Sequence, residues 1–247
     1  MTKQKPNSNK KSISTPGWAA FAVLMLGLAA LAGFYFEQNT RISSVDFEGH
    51  VFTQEQHLVD AFDSPVGILA DSVSYSSIYS SVNALPYVKK TDVRMSFRGT
   101  LTIAVEERQP IGMLADKPVS FFDEDGIVLP AVAGHWVDVP VVYGFKAPAA
   151  GDTLQTSGFT QVREFLKSVK TDPLSWSTVS EVAWNEDQGV VALSSENGVK
   201  LVFGRDDFEQ KVTHWKAFYQ DVVAHKGIDS FRSVDLRFRN QIVADEL

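Results

Sequence analysis

The sequence predicts an α+β body carried behind one long apolar helix, and three observations predict it. Residues 17–36 run for twenty positions without a charge. Behind them, strand and helix periodicities follow in the order strand, helix, helix, strand, strand within about seventy residues. From there to Leu247 short strands separated by turn signals dominate, with two helices between them, which reads as a mostly antiparallel β-domain.

The uncharged run comes first. It reads GWAAFAVLMLGLAALAGFYF, and twenty helical residues span roughly 30 Å, the thickness of a bilayer's hydrocarbon layer. Trp18 at one end and Phe34, Tyr35 and Phe36 at the other suit the two interfaces. Lys3, Lys5, Lys10 and Lys11 precede the run without an acid among residues 1–16, whereas Glu37 and Arg41 roughly cancel after it. This asymmetry predicts a single-pass type II protein, with the tail 1–16 in the cytoplasm, a transmembrane helix 17–36, and the rest outside. Ala30-Leu31-Ala32 has the small-x-small form of a signal-peptide cleavage site, but Phe34-Tyr35-Phe36 continues the apolar run where a polar cleavage region belongs. A retained anchor is the expectation.

Within the body, Val45 and Phe47 alternate with Asp46 and Glu48 before Gly49, predicting a strand. Thr53-Gln54-Glu55-Gln56 has capping-box form, with Leu58, Val59 and Phe62 at helical spacing behind it. Tyr75, Ile78, Val82 and Leu85 mark a second helix, which Pro86 stops; its other face is rich in serine and reads as solvated. Val93, Met95 and Phe97, then Leu101, Ile103 and Val105, alternate on either side of Arg98-Gly99.

Further on, Val119–Phe122 and Ile127–Leu129 flank Asp123-Glu124-Asp125-Gly126, a hairpin with a solvated turn. Val139-Pro140-Val141-Val142 belongs at an edge or a strand start, because proline cannot donate to a ladder. Val162, Phe165, Leu166 and Val169 predict a helix, and 182–184, 190–193 and 201–203 predict successive strands. The longest helix of the body should open at Asp206, with Glu209 completing the cap, carry Phe208, Val212, Trp215, Tyr219 and Val222 on one face, and end near Gly227. Val234 to Arg239 then alternates strictly, a closing strand, with Asn240 to Val243 after it.

Composition narrows the function. With 44% hydrophobic and 21% charged residues in 247, the chain can bury a core. Its formal charge of −7 becomes −11 once the four tail lysines are set apart, and an acidic body without a basic stripe argues against nucleic acid. There is no cysteine, hence no disulfide, thiolate nucleophile or cysteine metal site. His50, His57, His135, His214 and His225 fall into no metal-ligand spacing, and no nucleophile elbow, phosphate loop or dinucleotide fingerprint occurs. Glu106 and Glu107 are adjacent on a strand and point to opposite faces. Nothing predicts a catalytic residue, cofactor, metal or small-molecule substrate.

The residues do carry a family resemblance. Behind the tail and lone span come Ile42-x-x-Val45-x-Phe47-x-Gly49, Leu85-Pro86-Tyr87-Val88, and Leu101-x-Ile103-x-Val105-x-Glu107-Arg108-x-Pro110. Then follow Phe122-Asp123-x-Asp125-Gly126, Val139-Pro140-x-Val142-x-Gly144, Gly204-Arg205, and Val234-Asp235-Leu236-Arg237-Phe238. In this fixed order the chain resembles the FtsQ/DivIB family of bacterial cell-division proteins, in its Gram-negative form. The resemblance covers nearly the whole chain. It implies a polypeptide-transport-associated (POTRA) domain over 42–111 and a β-domain over 112–247. It also implies an inner-membrane, non-enzymatic scaffold at the division septum, with its body in the periplasm. That scaffold would join FtsB- and FtsL-type proteins, and other divisome components, to septal peptidoglycan synthesis.

Matched position by position, the resemblance places a partner-binding strand on Val234, Asp235, Leu236, Arg237, Phe238, Arg239, Asn240, Gln241, Ile242 and Val243. Trp215 and Tyr219 either shape a groove beside it or belong to the core. The family usually carries tyrosine or a similar aromatic where Phe238 stands, so no hydroxyl is on offer there. Alternation adds a physical expectation: Val234, Leu236 and Phe238 face the core, while Arg237 and Arg239 stand exposed for an acidic partner whose strand extends the sheet. Two rival functions are a subunit of an outer-membrane pore, which would need a transmembrane barrel, and an anchored wall hydrolase, which would need two carboxylates facing one cleft.

Overall fold

The computed structural model describes residues 17–247, and the predicted tail 1–16 lies outside the described residues. Two compact units make up the chain. Of the described residues, one comprises those up to Asp46, Pro65–Ser74 and Arg94–Thr102; the other comprises Phe47–Ser64, Tyr75–Val93 and Ile103–Leu247.

The first unit is built on α1 (Gly17–Asn39), 23 residues. Residues 23–31, among them Val23, Leu24, Met25 and Leu26, are exposed in succession, so this stretch of the helix is apolar all round rather than along one stripe. Among the described residues no helix is long and apolar enough to cross a membrane, the side chains of residues 17, 32 and 34–39 lying outside the described set. Immediately after α1, residues 40–43 run as an extended segment held on two sides. Ala70 and Ile42 donate backbone N–H groups to Thr40 and Ile68, at 2.9 and 3.0 Å, and Gly67 donates to Ile42 at 2.7 Å. Ser43 donates to the carbonyl of Gly99 at 2.7 Å.

β1 (Ser44–Glu48), β2 (Val88–Met95) and β3 (Thr100–Glu107) form a three-stranded sheet in the order β1–β3–β2. Between β1 and β2 lie α2 (Glu55–Asp60) and α3 (Tyr75–Asn83), in the order that the periodicities predict. The predicted capping box does not form. Gln54 is the N-cap of α2 and makes no side-chain cap, because the N–H of Thr53 is taken by a Glu107 carboxylate oxygen at 2.7 Å.

The larger sheet belongs to the second unit. Its strands are β4 (Pro110–Leu114), β5 (Ser120–Asp123), β6 (Val128–Pro130), β7 (Val141–Tyr143), β8 (Val179–Asn185), β9 (Gly189–Ser194), β10 (Lys200–Gly204), β11 (Phe231–Asp235) and β12 (Val243–Glu246). They lie in the order β12–β11–β10–β9–β8–β7–β4–β5–β6. Five neighbouring pairs are antiparallel and three parallel: β10 with β11, and β7 with both β4 and β8. The strand start after Pro140 is as predicted, but β7 is central rather than at an edge. Pro140 keeps its place because its carbonyl accepts from Met113 at 3.0 Å, a bond that needs no N–H from proline.

Helices α4 (Phe159–Lys170), α5 (Pro173–Thr178) and α6 (Phe208–Phe218) follow the apolar spacing. α4 packs on β4, β8, β9 and α6. Its Val162, Phe165, Leu166 and Val169 enter a core shared with Phe122, Phe203 and Trp215. β5 is buried on both faces: Phe122 joins that core, while Phe121 packs with Tyr87 and Leu129 on the reverse side. The capping pair predicted at Asp206 is replaced. Asp207, in the left-handed region, precedes α6, and Asp206 accepts instead from the buried Lys211 ammonium at 2.9 Å. A π-turn at Tyr219–Val223 adds a residue to the helix, so Val223 rather than the predicted Val222 is buried; α7 (Ala224–Lys226) then ends before Gly227.

Candidate partner-docking edge

The predicted docking strand is a hairpin. β11 stops at Asp235, and residues 236–242 turn back into β12, which pairs antiparallel with β11 in the register Asp235↔Val243 and Val234↔Ala244. The expected continuous strand through Phe238 and Arg239 is therefore corrected, and the physical reason lies at Asp235–Arg237. The Asp235 carboxylate accepts from Arg237's own backbone N–H at 3.0 Å and from its guanidinium at 2.6–3.1 Å, folding the chain over itself. Leu236 still donates its N–H to Val202 of β10 at 2.8 Å.

Val234 and Leu236 are fully buried, as the alternation requires, but Phe238 is exposed and does not join the core. Arg237 and Arg239 are exposed, as the alternation requires, but each already has an acidic neighbour within the chain. Arg237 is spent on Asp235, and Arg239 lies 3.6 Å from Asp207. Burial works to raise the Asp235 carboxyl, yet the hydrogen bonds from Arg237 outweigh it and hold the group below the usual carboxylate range; the same contact raises the Arg237 guanidinium. Asn240 and Gln241 occupy the turn, and Ile242 packs partly on the core. Trp215 is a core residue, 0% exposed, whose Nε1–H donates to Thr178 Oγ1 at 2.9 Å. Tyr219 stands half-buried edge-on against it at 5.6 Å.

The outermost strand is thus β12, and sequence reading missed most of it. Val243-Ala244-Asp245-Glu246 is short and acidic, with no alternation to signal a strand. Its edge geometry follows from one bond. Leu247 donates its N–H to Ser230 at 3.0 Å, so by the alternation of an antiparallel ladder Asp245 and Val243 also face β11. The backbone N–H and C=O of Ala244 and Glu246 face away, toward the open side. Val243 and Leu247 are 47% and 79% exposed beside them. Lys226 and Arg232 hold Glu246 and Asp245 at 2.5 and 3.6 Å, fixing the strand at its inner margin.

Carboxylates do gather elsewhere. Glu106, Glu107, Asp123 and Glu124 line a cleft of about 210 Å³ with Lys89, Arg108 and Lys170. Glu107 accepts the N–H groups of Val51, Phe52 and Thr53 at 2.7–2.9 Å. Asp123, buried rather than in a solvated turn, accepts from Asp125, Ile127 and Arg108. Burial alone would raise the Glu107 carboxyl, but its hydrogen bonds to residues 51–53 hold it below the ordinary 4.5, and Lys89 holds Glu124 down likewise. A general acid needs the opposite shift. Among the described residues no group of three His, Asp or Glu side chains could hold a metal ion.

Comparison with known sequences bears on this arrangement. Residues 40–108 match the family described as POTRA domain, FtsQ-type, and residues 109–245 match FtsQ/DivIB, C-terminal related. The chain is 30% identical over 194 residues to a cell division protein FtsQ of Rhodothermus marinus, covering 75% of this chain and 67% of that one. It is 23% identical over 239 residues to the FtsQ of Geotalea daltonii, covering 95% and 84%. To that of Haemophilus influenzae it is 26% identical over 234 residues, covering 89% and 85%.

Proposed function

Because the chain belongs to the FtsQ/DivIB family of cell-division proteins, we propose that it is a non-enzymatic scaffold of the bacterial divisome. In this reading α1 crosses the inner membrane over 17–36, the tail 1–16 is cytoplasmic, and the body lies in the periplasm at the septum. A POTRA domain over 42–111 and a β-domain over 112–247 connect FtsB- and FtsL-type partners to septal peptidoglycan synthesis. The span is supported by the charge-free run and by apolar side chains exposed on every side of α1. A non-enzymatic role is supported by Glu107, Asp123 and Glu124, three of the cleft's four carboxylates, each being engaged by hydrogen bonds within the fold.

One observation carries the docking reading: β12 leaves the amides and carbonyls of Ala244 and Glu246 turned outward at the end of a nine-stranded sheet. A partner strand can add there through main-chain bonds, with exposed Val243 and Leu247 offering apolar contact. Ala244→Pro removes an outward donor without touching the ladder to β11. The full-length variant should stay folded by circular dichroism and lose capture of an FtsB-type partner, with filamentous cells where it replaces the wild-type chain. Unchanged capture by the folded variant would move the docking strand elsewhere.

A further inference from the structure

Among the described residues Phe97 is the most exposed large apolar side chain of the first unit, at 105% of its reference accessibility, at the tip between β2 and β3. An aromatic ring that meets nothing in its own fold is unusual at a hairpin turn, where polar residues belong. Val66 and Ile68, on the loop 65–69, are also exposed at 51% and 44%. These apolar groups are not scattered. The extended segment 40–43 binds the loop through Ile42 and Thr40 on one side and the hairpin tip through Ser43 on the other. The tip itself is locked: Gly99 has φ +87°, and a Cβ there would sit 2.5 Å from the carbonyl oxygen of Arg41. Ser43 Oγ also donates to the carbonyl of Arg98 at 3.2 Å.

Segment 40–43 begins one residue beyond the end of α1. The loop that carries Ile68 and the tip that carries Phe97 are therefore held by hydrogen bonds to the segment that directly follows the apolar helix. The guanidinium groups of Arg41 and Arg98 are exposed beside them; Arg41 reaches Gly67 at 2.7 Å and thereby ties the loop to the helix foot.

We propose that Phe97, Ile68 and Val66, flanked by Arg41 and Arg98, form a membrane-contact patch that seats the foot of α1 on an anionic lipid surface. Apolar side chains would enter the interfacial layer while the guanidinium groups meet lipid phosphates, the division of labour of interfacial anchors. This rests on the reading that α1 spans the bilayer, since only then is its foot held at the lipid–water boundary. The occupant is a lipid leaflet because the patch is hydrogen-bonded to the segment that directly follows an apolar helix, and the exposed Arg41 and Arg98 flank it.

The chain has no cysteine, so single cysteines report cleanly. Full-length Ile68→Cys and Leu24→Cys, each bearing a polarity-sensitive fluorophore, are placed in nanodiscs of phosphatidylcholine with or without phosphatidylglycerol. The Leu24 label should be quenched by spin labels deep in the acyl chains. The Ile68 label should be blue-shifted and quenched by headgroup-level spin labels, more strongly with phosphatidylglycerol. Adding Phe97→Ser and Arg98→Glu should abolish the Ile68 signal and leave the Leu24 signal unchanged. A quenched Leu24 label beside an Ile68 label that emits as in water overturns the patch but not the span. So does an Ile68 signal indifferent to lipid charge and to both substitutions. If neither label is quenched, the span and the patch fall together.

Discussion

The two edges of the large sheet are finished in opposite ways. β6 is three residues long, ends in Pro130, and is covered: Val128 donates to Asp152 and accepts from Gly151, at 2.9 and 2.8 Å, while Leu154 donates to Gly126. Tyr87 completes the cover by donating its hydroxyl to the Pro130 carbonyl at 2.7 Å. β12, at the other end, has Ala244 and Glu246 turned outward and two exposed apolar side chains beside them. Proteins blunt edges because unpaired backbone invites other chains. The proposed docking at β12 rests on this contrast between a covered edge and an open one.

The largest effect should come from undermining the open edge from beneath. Leu236 is fully buried and its N–H anchors the hairpin to β10. Leu236→Ala should cost about 2–5 kcal/mol in denaturant unfolding by removing core volume. If the loss fell well below that range, the hairpin would not be supported by the core as described.

Next comes a way to erase the contrast. Gly151 has φ +90°, which proline cannot adopt, and its N–H bonds Val128. Gly151→Pro should lift the cover from β6 and create a second open edge. Concentration-dependent self-association in sedimentation velocity is the expected result, while Ala244→Pro should show none.

Acid should loosen the covered edge selectively. Glu107 clamps residues 51–53, and Phe52 stacks at 4.9 Å on Tyr87, whose hydroxyl burial pushes up to about 12, with the Glu107 charge adding to the rise. Because the Glu107 carboxyl lies below 4.5 in the folded chain, its stabilisation is complete above that pH and is lost as pH falls through the folded value. Wild-type stability should therefore drop in that acid window, and Glu107→Gln should remove this part of the slope while lowering stability at neutral pH. An unchanged pH profile in the variant would detach Glu107 from the cover.

How far the sequence speaks for itself varies along the chain. Local patterns were readable: the apolar run of α1, the helix spacing of α4, the turn at 123–126 and the stop near Gly227 all form where their residues point. Pairing over distance was not. Nothing in Val141–Tyr143 says that it slots in parallel between β4 and β8, because three residues carry no period and the partners lie far away in sequence. The docking hairpin failed for a related reason. Alternation from Val234 correctly gives Val234 and Leu236 as buried, but it cannot report that Asp235 captures Arg237 and ends the strand. The π-turn at Tyr219–Val223 likewise has no signature in apolar spacing, and it moved burial from Val222 to Val223.

The smallest effect separates charge from backbone. The Asp235–Arg237 pair is partly exposed, so Arg237→Gln should change stability by about 1 kcal/mol or less. It should also weaken partner capture far less than Ala244→Pro, and a reversed ranking would make side-chain charge the dominant element.

The central claim concerns two amides, and residue-resolved hydrogen exchange reads them directly. The full-length chain in nanodiscs is compared with and without a saturating FtsB-type partner segment. The N–H groups of Ala244 and Glu246 should exchange rapidly in the free chain and become protected in the complex, while Val128 and Gly151 at the covered edge stay as they were. Rapid exchange of Ala244 and Glu246 in a fully occupied complex would contradict strand addition at β12.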